Sequence, residues 1–477
     1  MLAHLDSHRF ALALLILGLI AIIGGDWTTL NTDYAAEMQR LLQGMLWPDL
    51  FATEFLLNAL GTTITIAVLG IALGAALGAA MVPLYRFALV RVGCTAVRAV
   101  HEIFWALLFL QVFGLSTVTA LLALALPYAA TFARVFSDIL SQAPRSVARA
   151  LPLDTPRLLA LLYAKVLPVW PQLVSYTRYR FECALRASAV LGFVGLPTLG
   201  FHLETAFRQG YYAQGGALLW LFFALIGTQK WWLRGWSWPL LALLGLVWLP
   251  WQVHFEPAWA KRFLLDEIWP QLQYTDHSLW LWLEQIWAQA GPGIWGTLMV
   301  AFMALLLSAL LCSISWPIAT RRLFPRSVWL GRAALLVGRS MPELLLAFIL
   351  LMIFGPSMLP AALALAIHNG SLIAHLLAQR ADDLPLRRDT GTDPSSWAYE
   401  YVPRLAPGMR DLLTYRFEIM VRETAMLGML GVASLGFYVD SAFELFQFDV
   451  AFALIVITAL INILIAGLCT RLFSQRD

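Results

Sequence analysis

Apolar residues run through the chain in blocks of about twenty, the length of helix that crosses the hydrocarbon of a bilayer. The blocks fall at 10–24, 52–84, 99–115, 117–139, 176–196 and 212–228. They recur at 237–253, 293–319, 333–355, 357–379, 411–431 and 449–470. The pattern predicts an all-α polytopic membrane protein of twelve spans, six in each half, the first of each set being short. The leading block follows MLAHLDSHR and lacks a small-residue cleavage site, so it is expected to stay as a span and not to be removed as a signal peptide.

Composition agrees. Of 477 residues, 60% are hydrophobic and 13% charged, against roughly 25% charged in soluble domains. A soluble globular protein, a disordered chain and a nucleic-acid binder are excluded. The net charge of +3 says little, but its distribution orients the chain. With the N-terminus inside, Arg86, Arg91, Arg145, Arg321, Arg322, Arg387 and Arg388 gather on the cytoplasmic side. The segments 25–51 and 254–292 carry Asp26, Asp33, Glu37, Asp266 and Glu284 outside, so both termini are expected to be cytoplasmic. Cys94, Cys183, Cys312 and Cys469 lie in or beside apolar blocks with no CxxC or Cys/His spacing, so neither a disulfide framework nor a metal site is expected.

The two halves repeat. YRFECALRASAVLGFVGLPTLGFHLETAF (179–207) aligns without a gap to YRFEIMVRETAMLGMLGVASLGFYVDSAF (415–443), at an offset of 236. Upstream, Arg98-x-x-x-Glu102 matches Arg339-x-x-x-Glu343, and Gly114 and Ser116 match Gly355 and Ser357, at an offset of 241. Gly61-Thr62 matches Gly296-Thr297 at 235. Repeat units of 1–235 and 236–477 follow. An even number of spans in each inserts both the same way up, related by an axis along the membrane normal.

The repeated unit resembles the permease subunit of phosphonate ABC importers, within the type I importer class. The YRFE…R…LG…G…GF block and the runs at 98–110 and 339–351 carry the resemblance, which covers about 52–228 and 293–470. Family permeases are usually single units that dimerise; here two are joined, a pseudo-dimeric membrane domain. The resemblance implies an inner-membrane importer of phosphonate or a related oxyanion such as phosphite or hypophosphite. It also implies two cytoplasmic ABC ATPase subunits that bind ATP and Mg, and a periplasmic binding protein that delivers the anion.

The resemblance further implies a cytoplasmic coupling helix in each half. In 148–168 it maps to Arg149, Leu151, Asp154, Thr155, Leu167 and Pro168; in 387–403 it maps, more weakly, to Gly391, Thr392 and Pro403. Arg149 stands where the family has an acidic residue, and Thr155 near its glycine. Ordinary solvated basic loops are the plain alternative.

Other residues are read from their own chemistry. Glu182 and Arg186, like Glu418 and Arg422, stand four apart, which puts both side chains on one helix face. The same spacing joins Arg98 to Glu102 and Arg339 to Glu343. Structural ion pairs are the favoured reading, since ionisable groups in a bilayer need partners; Arg186 and Arg422 are also candidates for the inner gate. An arginine relay is the minority reading, because guanidinium matches oxyanion geometry. Gly192, Gly195 and Gly200, with their counterparts Gly428, Gly431 and Gly436, interrupt apolar helix. They mark either a gate, to which Thr198 and Ser434 would offer hydroxyls, or close helix packing. His368-Asn369 replaces Pro127-Tyr128 of the first copy and is the clear asymmetry, functional or merely packed; Arg134 raises the same question.

The three lysines, Lys165, Lys230 and Lys261, neither follow glycine nor precede Ser or Thr, so no Walker A loop exists and the chain is not expected to be an enzyme or hold a cofactor. Two rival functions remain: an ion-coupled secondary transporter, which needs a carboxylate deep in the bundle, and a nontransporting sensor or scaffold with a permease fold.

Overall fold

A computed structural model describes the chain except residues 1, 29–32, 52–55, 145, 148–151, 153–154, 234–236, 250, 252–254, 271–278, 386–396 and 475–477. The described residues form helices and turns, without a strand. They divide into two compact units, one of Leu41–Phe263 and the other of Met1–Arg40 with Leu264–Asp477.

In the chain's order, α1 is Leu2–Gly24 and α2 is Tyr34–Leu46, which carries the boundary between the units. The first unit then holds α3 (Leu56–Met81), α4 (Ala88–Ala99), α5 (Glu102–Phe113) and α6 (Thr117–Ser141). It continues with α7 (Leu167–Val190), α8 (Leu199–Arg208), α9 (Tyr212–Trp232) and α10 (Ser237–Trp248). The second unit repeats the order as α11 (Leu279–Ile318), α12 (Val328–Ser340), α13 (Glu343–Phe354) and α14 (Met358–Asp383). There α15 (Val402–Leu427), α16 (Leu435–Glu444) and α17 (Phe448–Ser474) complete it.

The units do not divide where the repeats do. Within the second unit α1 lies along α11: Gly18 meets Leu306, and Trp295 Nε1 donates to the Gly24 carbonyl at 2.9 Å. Within the first unit α10 lies along α3, with Gly61 against Trp248 and Gly245 against Thr65. α1 thus packs in the second unit and α10 in the first. Glycine at these contacts lets an apolar helix approach to backbone distance.

Each unit is centred on a two-helix core, α3 with α6 and α11 with α14. On α3 the stripe Gly70-xxx-Gly74-xxx-Gly78 faces Leu124, Tyr128 and Phe132 of α6. Outward faces stay apolar, as with Leu460, Leu464 and Leu468 along α17, which is what a helix facing lipid requires.

Among the described residues, five helices are long and apolar enough to cross a membrane, or nine if each of four bent pairs counts as one span. Two shorter apolar helices, Arg9–Gly24 and Ser237–Trp248, are the short leading blocks. The blocks 99–115 and 333–355 are not straight spans. The chain turns by 93° between α4 and α5 and by 95° between α12 and α13. In the second unit the turn falls at Met341-Pro342, where proline disfavours helix in the residue before it.

Candidate functional site

Two kinds of helix break, each present in both units, position the polar residues. The first lies at the glycine-rich stretches. α7 tightens into a 3-10 turn, Leu191–Val194, reverses at Gly195 (φ 95°) and restarts as α8, bent by 50°. α15 does the same through Gly428–Leu430 and Gly431 (φ 85°) into α16, bent by 41°. Gly195 and Gly431 hold left-handed conformations that suit glycine. Gly200 and Gly436 serve close approach: a Cβ on either would strike the carbonyl of Ala189 or Ala425. Gly192 and Gly428 similarly abut the backbone N of Phe201 and Phe437.

The new helix starts with an N–H that no helical carbonyl reaches. Thr63 Oγ1 accepts from Leu199 N at 2.9 Å, and Thr297 Oγ1 accepts from Leu435 N at 3.0 Å. The structural counterpart of Thr297 is therefore Thr63, and the match of Gly61-Thr62 to Gly296-Thr297 is out of register by one residue. Thr198 and Ser434 are fully buried in the breaks, and the Ser434 hydroxyl donates to the Thr424 carbonyl at 3.2 Å.

The second kind of break places a glutamate at the first turn of α5 and of α13. Because α4 ends at Ala99 and α12 at Ser340, the fourth-neighbour argument for Arg98/Glu102 and Arg339/Glu343 fails: it needs one continuous helix. Histidine approaches each glutamate. His101 Nε2 lies 3.5 Å from Glu102 Oε2, while His101 Nδ1 caps α5 by accepting from Ile103 N at 3.3 Å. In the second unit the imidazole comes from the middle of α14: His368 Nε2 lies 2.8 Å from Glu343 Oε1, and Nδ1 lies 3.0 Å from the Met341 carbonyl. Both nitrogens of His368 lie within hydrogen-bond distance of an oxygen. His368 is buried and engaged with α13.

Glu182 and Arg186 do share the continuous helix α7, as Glu418 and Arg422 share α15. Arg186 Nη2 lies 3.8 Å from Cys183 Sγ. In the first unit Arg180 stacks over Tyr176 and Tyr179 and donates from Nε to the Tyr176 hydroxyl at 2.7 Å. Its counterpart Arg416 is buried, with Leu412 in place of Tyr176. There Glu423 supplies the electrostatic partner: Arg416, Arg422 and Glu343 all act on it, and Asn369 hydrogen-bonds it. Glu343, His368, Asn369, Arg416, Arg422 and Glu423 thus form one polar cluster from α13, α14 and α15.

Sequence reasoning missed Glu423 and assigned no role to Arg416. The signal was present: at the offset of 236 Glu423 stands opposite Ala187, a charge placed inside an otherwise matching block. Arg134 sits on the surface, 4.0 Å from Asp138. Among the described residues no cluster of His, Cys, Asp and Glu could hold a metal.

Of the coupling-helix residues, Arg149, Leu151, Asp154, Gly391 and Thr392 lie outside the described residues. Thr155 closes a turn, with N and Oγ1 both donating to the Pro152 carbonyl at 3.1 and 2.7 Å. Each unit then enters its long helix through a π turn, Leu162–Val166 or Trp397–Tyr401. Leu167-Pro168 and Val402-Pro403 follow directly on these π turns inside a continuous helix, where a residue without an N–H removes a bond to the preceding turn. Lys165 and Val166 line a largely apolar cavity of about 1030 Å³ in the first unit.

Over 469 residues the chain is 26% identical to the phosphate-import permease protein PhnE of Mycolicibacterium smegmatis, covering 89% of this chain and 86% of that one. It is 28% identical over 155 residues to the phosphite transport system permease protein PtxC of Stutzerimonas stutzeri, 31% of this chain and 56% of that protein. The putative phosphite transport system permease protein HtxE of the same organism is 24% identical over 143 residues, 30% and 55% of the two chains. No family model and no solved structure matches. Similarity that runs nearly end to end bears out the resemblance drawn from the repeated block.

Proposed function

We propose that this chain, a member of the phosphonate-type import permeases, is the membrane-spanning subunit of an ATP-driven importer for phosphonate, phosphite or a related small oxyanion. The observation that carries the reading is the nearly full-length similarity to a phosphate-import permease. The two units add support, since both build the same pair of helix breaks from the repeated blocks.

In this reading the chain comprises two parallel repeats, 1–235 and 236–477, with six spans each and both termini in the cytoplasm of a bacterium. Two ABC ATPase subunits grip the segments that lead into α7 and α15. Their closure on ATP and Mg turns these helices through the π turns and transmits the motion to the breaks at Gly195 and Gly431. A periplasmic binding protein delivers the anion to the outward state, and hydrolysis restores the inward one. Two packed arrangements exchange, each favoured by a different ligand.

Co-purification with an ATPase, followed by uptake of labelled phosphate, phosphite and methylphosphonate into liposomes supplied with a binding protein, tests the reading. ATP-dependent uptake is expected. Uptake without ATP would replace it by an ion-coupled carrier, a reading that the buried carboxylate of Glu423 favours, since such carriers need a deep acidic group.

A further inference from the structure

We infer that the first unit holds an anionic phospholipid in the cavity between α3, α6, α7 and α10, at the end of the unit that the proposed topology gives to the cytoplasm. The inference goes beyond the importer reading and requires only that the chain cross a bilayer.

The cavity, of about 1030 Å³, lies where α3 and α6 end. Its wall is apolar, built from Ala75 and Ala79 of α3, Phe136 of α6, Leu173 and Val174 of α7 and Trp238 of α10. Two cations, Lys165 and Arg178, line the same space, and among the described residues no carboxylate does. Asp138, beside the lining residue Ser137, faces Arg134 at 4.0 Å. Lys165 and Arg178 are exposed, and neither side chain makes an ion pair or hydrogen bond among the described residues. They stand thirteen residues apart on one run of helix, about 20 Å, so positive charge is spread along the cavity. Trp170 and Leu161, also in the lining, are 56% and 42% exposed. Unpaired cations beside uncovered apolar surface call for an amphiphile: a phosphate accepts from the ammonium or guanidinium, and acyl chain covers the wall. A free phosphate would leave the wall bare. Basic pockets between membrane helices take anionic headgroups on the cytoplasmic side, and tryptophan settles at headgroup level.

The second unit carries the opposite charges at the matching positions. Asp382 stands where the first unit has Ser141, at the offset of 241, and Thr414 where it has Arg178, at 236. The π turn Trp397–Tyr401 has Glu400 at the place of Lys165 in Leu162–Val166. There the arginines are answered within the chain: Arg332 donates to Asp382, and Arg404 to Glu400 at 2.6 Å. The cavity beside them, about 570 Å³, is lined by Arg321, Arg322, Arg332, Gln379, Asp382 and Asp383, without an apolar wall. The fold therefore does not require the two free cations of the first unit, and one lipid site per chain follows.

The test is native mass spectrometry of the full chain, delipidated in detergent and given back phosphatidylglycerol and phosphatidylcholine with matched acyl chains. Each cation beside a membrane surface strengthens anionic binding about fivefold, so phosphatidylglycerol should be retained about thirtyfold better than phosphatidylcholine. Lys165→Gln and Arg178→Gln should each cut that preference about fivefold. Arg91→Gln removes an exposed cation of α4 outside the lining and should leave the preference unchanged. Ala79→Phe fills the cavity without touching a charge and should abolish retention of both lipids. Excess inorganic phosphate during loading, at constant ionic strength, should displace neither. Equal retention of the two lipids, retention of neither, an effect of Arg91→Gln equal to that of Arg178→Gln, retention that survives Ala79→Phe, or displacement by inorganic phosphate overturns the inference. Hydrogen-exchange protection of 161–178 by an added ABC ATPase and not by lipid would give the cavity to a protein partner and overturn it too. ATP-driven uptake that persists in any of these cases leaves the importer reading standing. Conversely, selective lipid retention by a chain that recruits no ATPase keeps the lipid site and removes the importer.

Discussion

Replacing Thr63 by valine removes one acceptor and almost no volume. The hydroxyl accepts the first N–H of α8 at 2.9 Å across the helix break, and both Thr63 and Leu199 are buried, so water does not take its place. Leaving a buried donor unsatisfied costs about 1–3 kcal/mol. Thr297→Val removes the matching contact to Leu435 N and should cost the same. The two contacts share no partner, so the double variant should lose the sum. Thr62→Val is the decisive comparison. Thr62 is also buried, but the hydrogen bond to the new helix comes from Thr63, and replacement of Thr62 should stay within about 0.5 kcal/mol. Thermal unfolding of the detergent-solubilised chain reads the difference, at about 2–4 °C per kcal/mol for units of this size. A loss in Thr62→Val equal to that in Thr63→Val would refute the register and the role assigned to the hydroxyl.

Gly436→Ala should destabilise by about 1–3 kcal/mol, because the added methyl meets the Ala425 carbonyl. Gly227→Ala on α9, with open space around it, should be neutral or stabilising by up to about 1 kcal/mol; unfolding midpoints in the reverse order would sink the packing account. His368→Ala removes the imidazole 2.8 Å from Glu343 in the second unit and should cost about 3–5 kcal/mol. His101→Ala, which breaks a longer contact and a helix cap, should cost about 1–2 kcal/mol; equal losses would show the two histidines to be interchangeable. The four cysteines are free, three of them buried, so a water-soluble maleimide should label half-buried Cys183 before Cys94, Cys312 and Cys469. Mass spectrometry of the labelled peptides gives the order, and faster labelling of Cys312 would contradict the packing of α11.

Much of the frame was legible in the sequence because its causes are local. Blocks of apolar residues near bilayer length gave the long helices, and Gly114/Ser116 and Gly355/Ser357 marked the ends of α5 and α13 and the caps of α6 and α14. What failed depended on geometry that apolar pattern does not encode. Within the run 333–355, Arg339, Ser340 and Glu343 flank Met341-Pro342, so a short polar stretch and a proline mark the 95° turn that a single straight span passes over. Once the helix is broken, a four-residue spacing no longer puts Arg339 and Glu343 on one face. The threonine register slipped because identity favoured the Gly-Thr pair, whereas the hydrogen bond selects the residue one step further round α3. Nor can an apolar helix announce which core it will cover. α1 and α10 are equally suited to either unit by composition, and contacts at Gly18, Gly24, Gly61 and Gly245 decide the matter.

The two copies have kept what the backbone demands and changed what side chains supply. Gly200 and Gly436 cannot vary without moving a carbonyl, and Thr63 and Thr297 answer an N–H that any such break exposes. The glutamates at the start of α5 and α13 show a subtler constraint. Each meets an imidazole, yet one histidine precedes the glutamate in sequence and the other comes from α14. The same contact reached from two positions implies that the pairing itself is required at the turn, to hold a half-buried carboxylate beside a helix start. Glu423 and Asn369 meet no such demand, since the first unit folds the same break with Ala187 and Tyr128. A buried carboxylate that the fold does not need is costly to keep, and that cost is the strongest physical reason to look for a role of Glu423 beyond the fold.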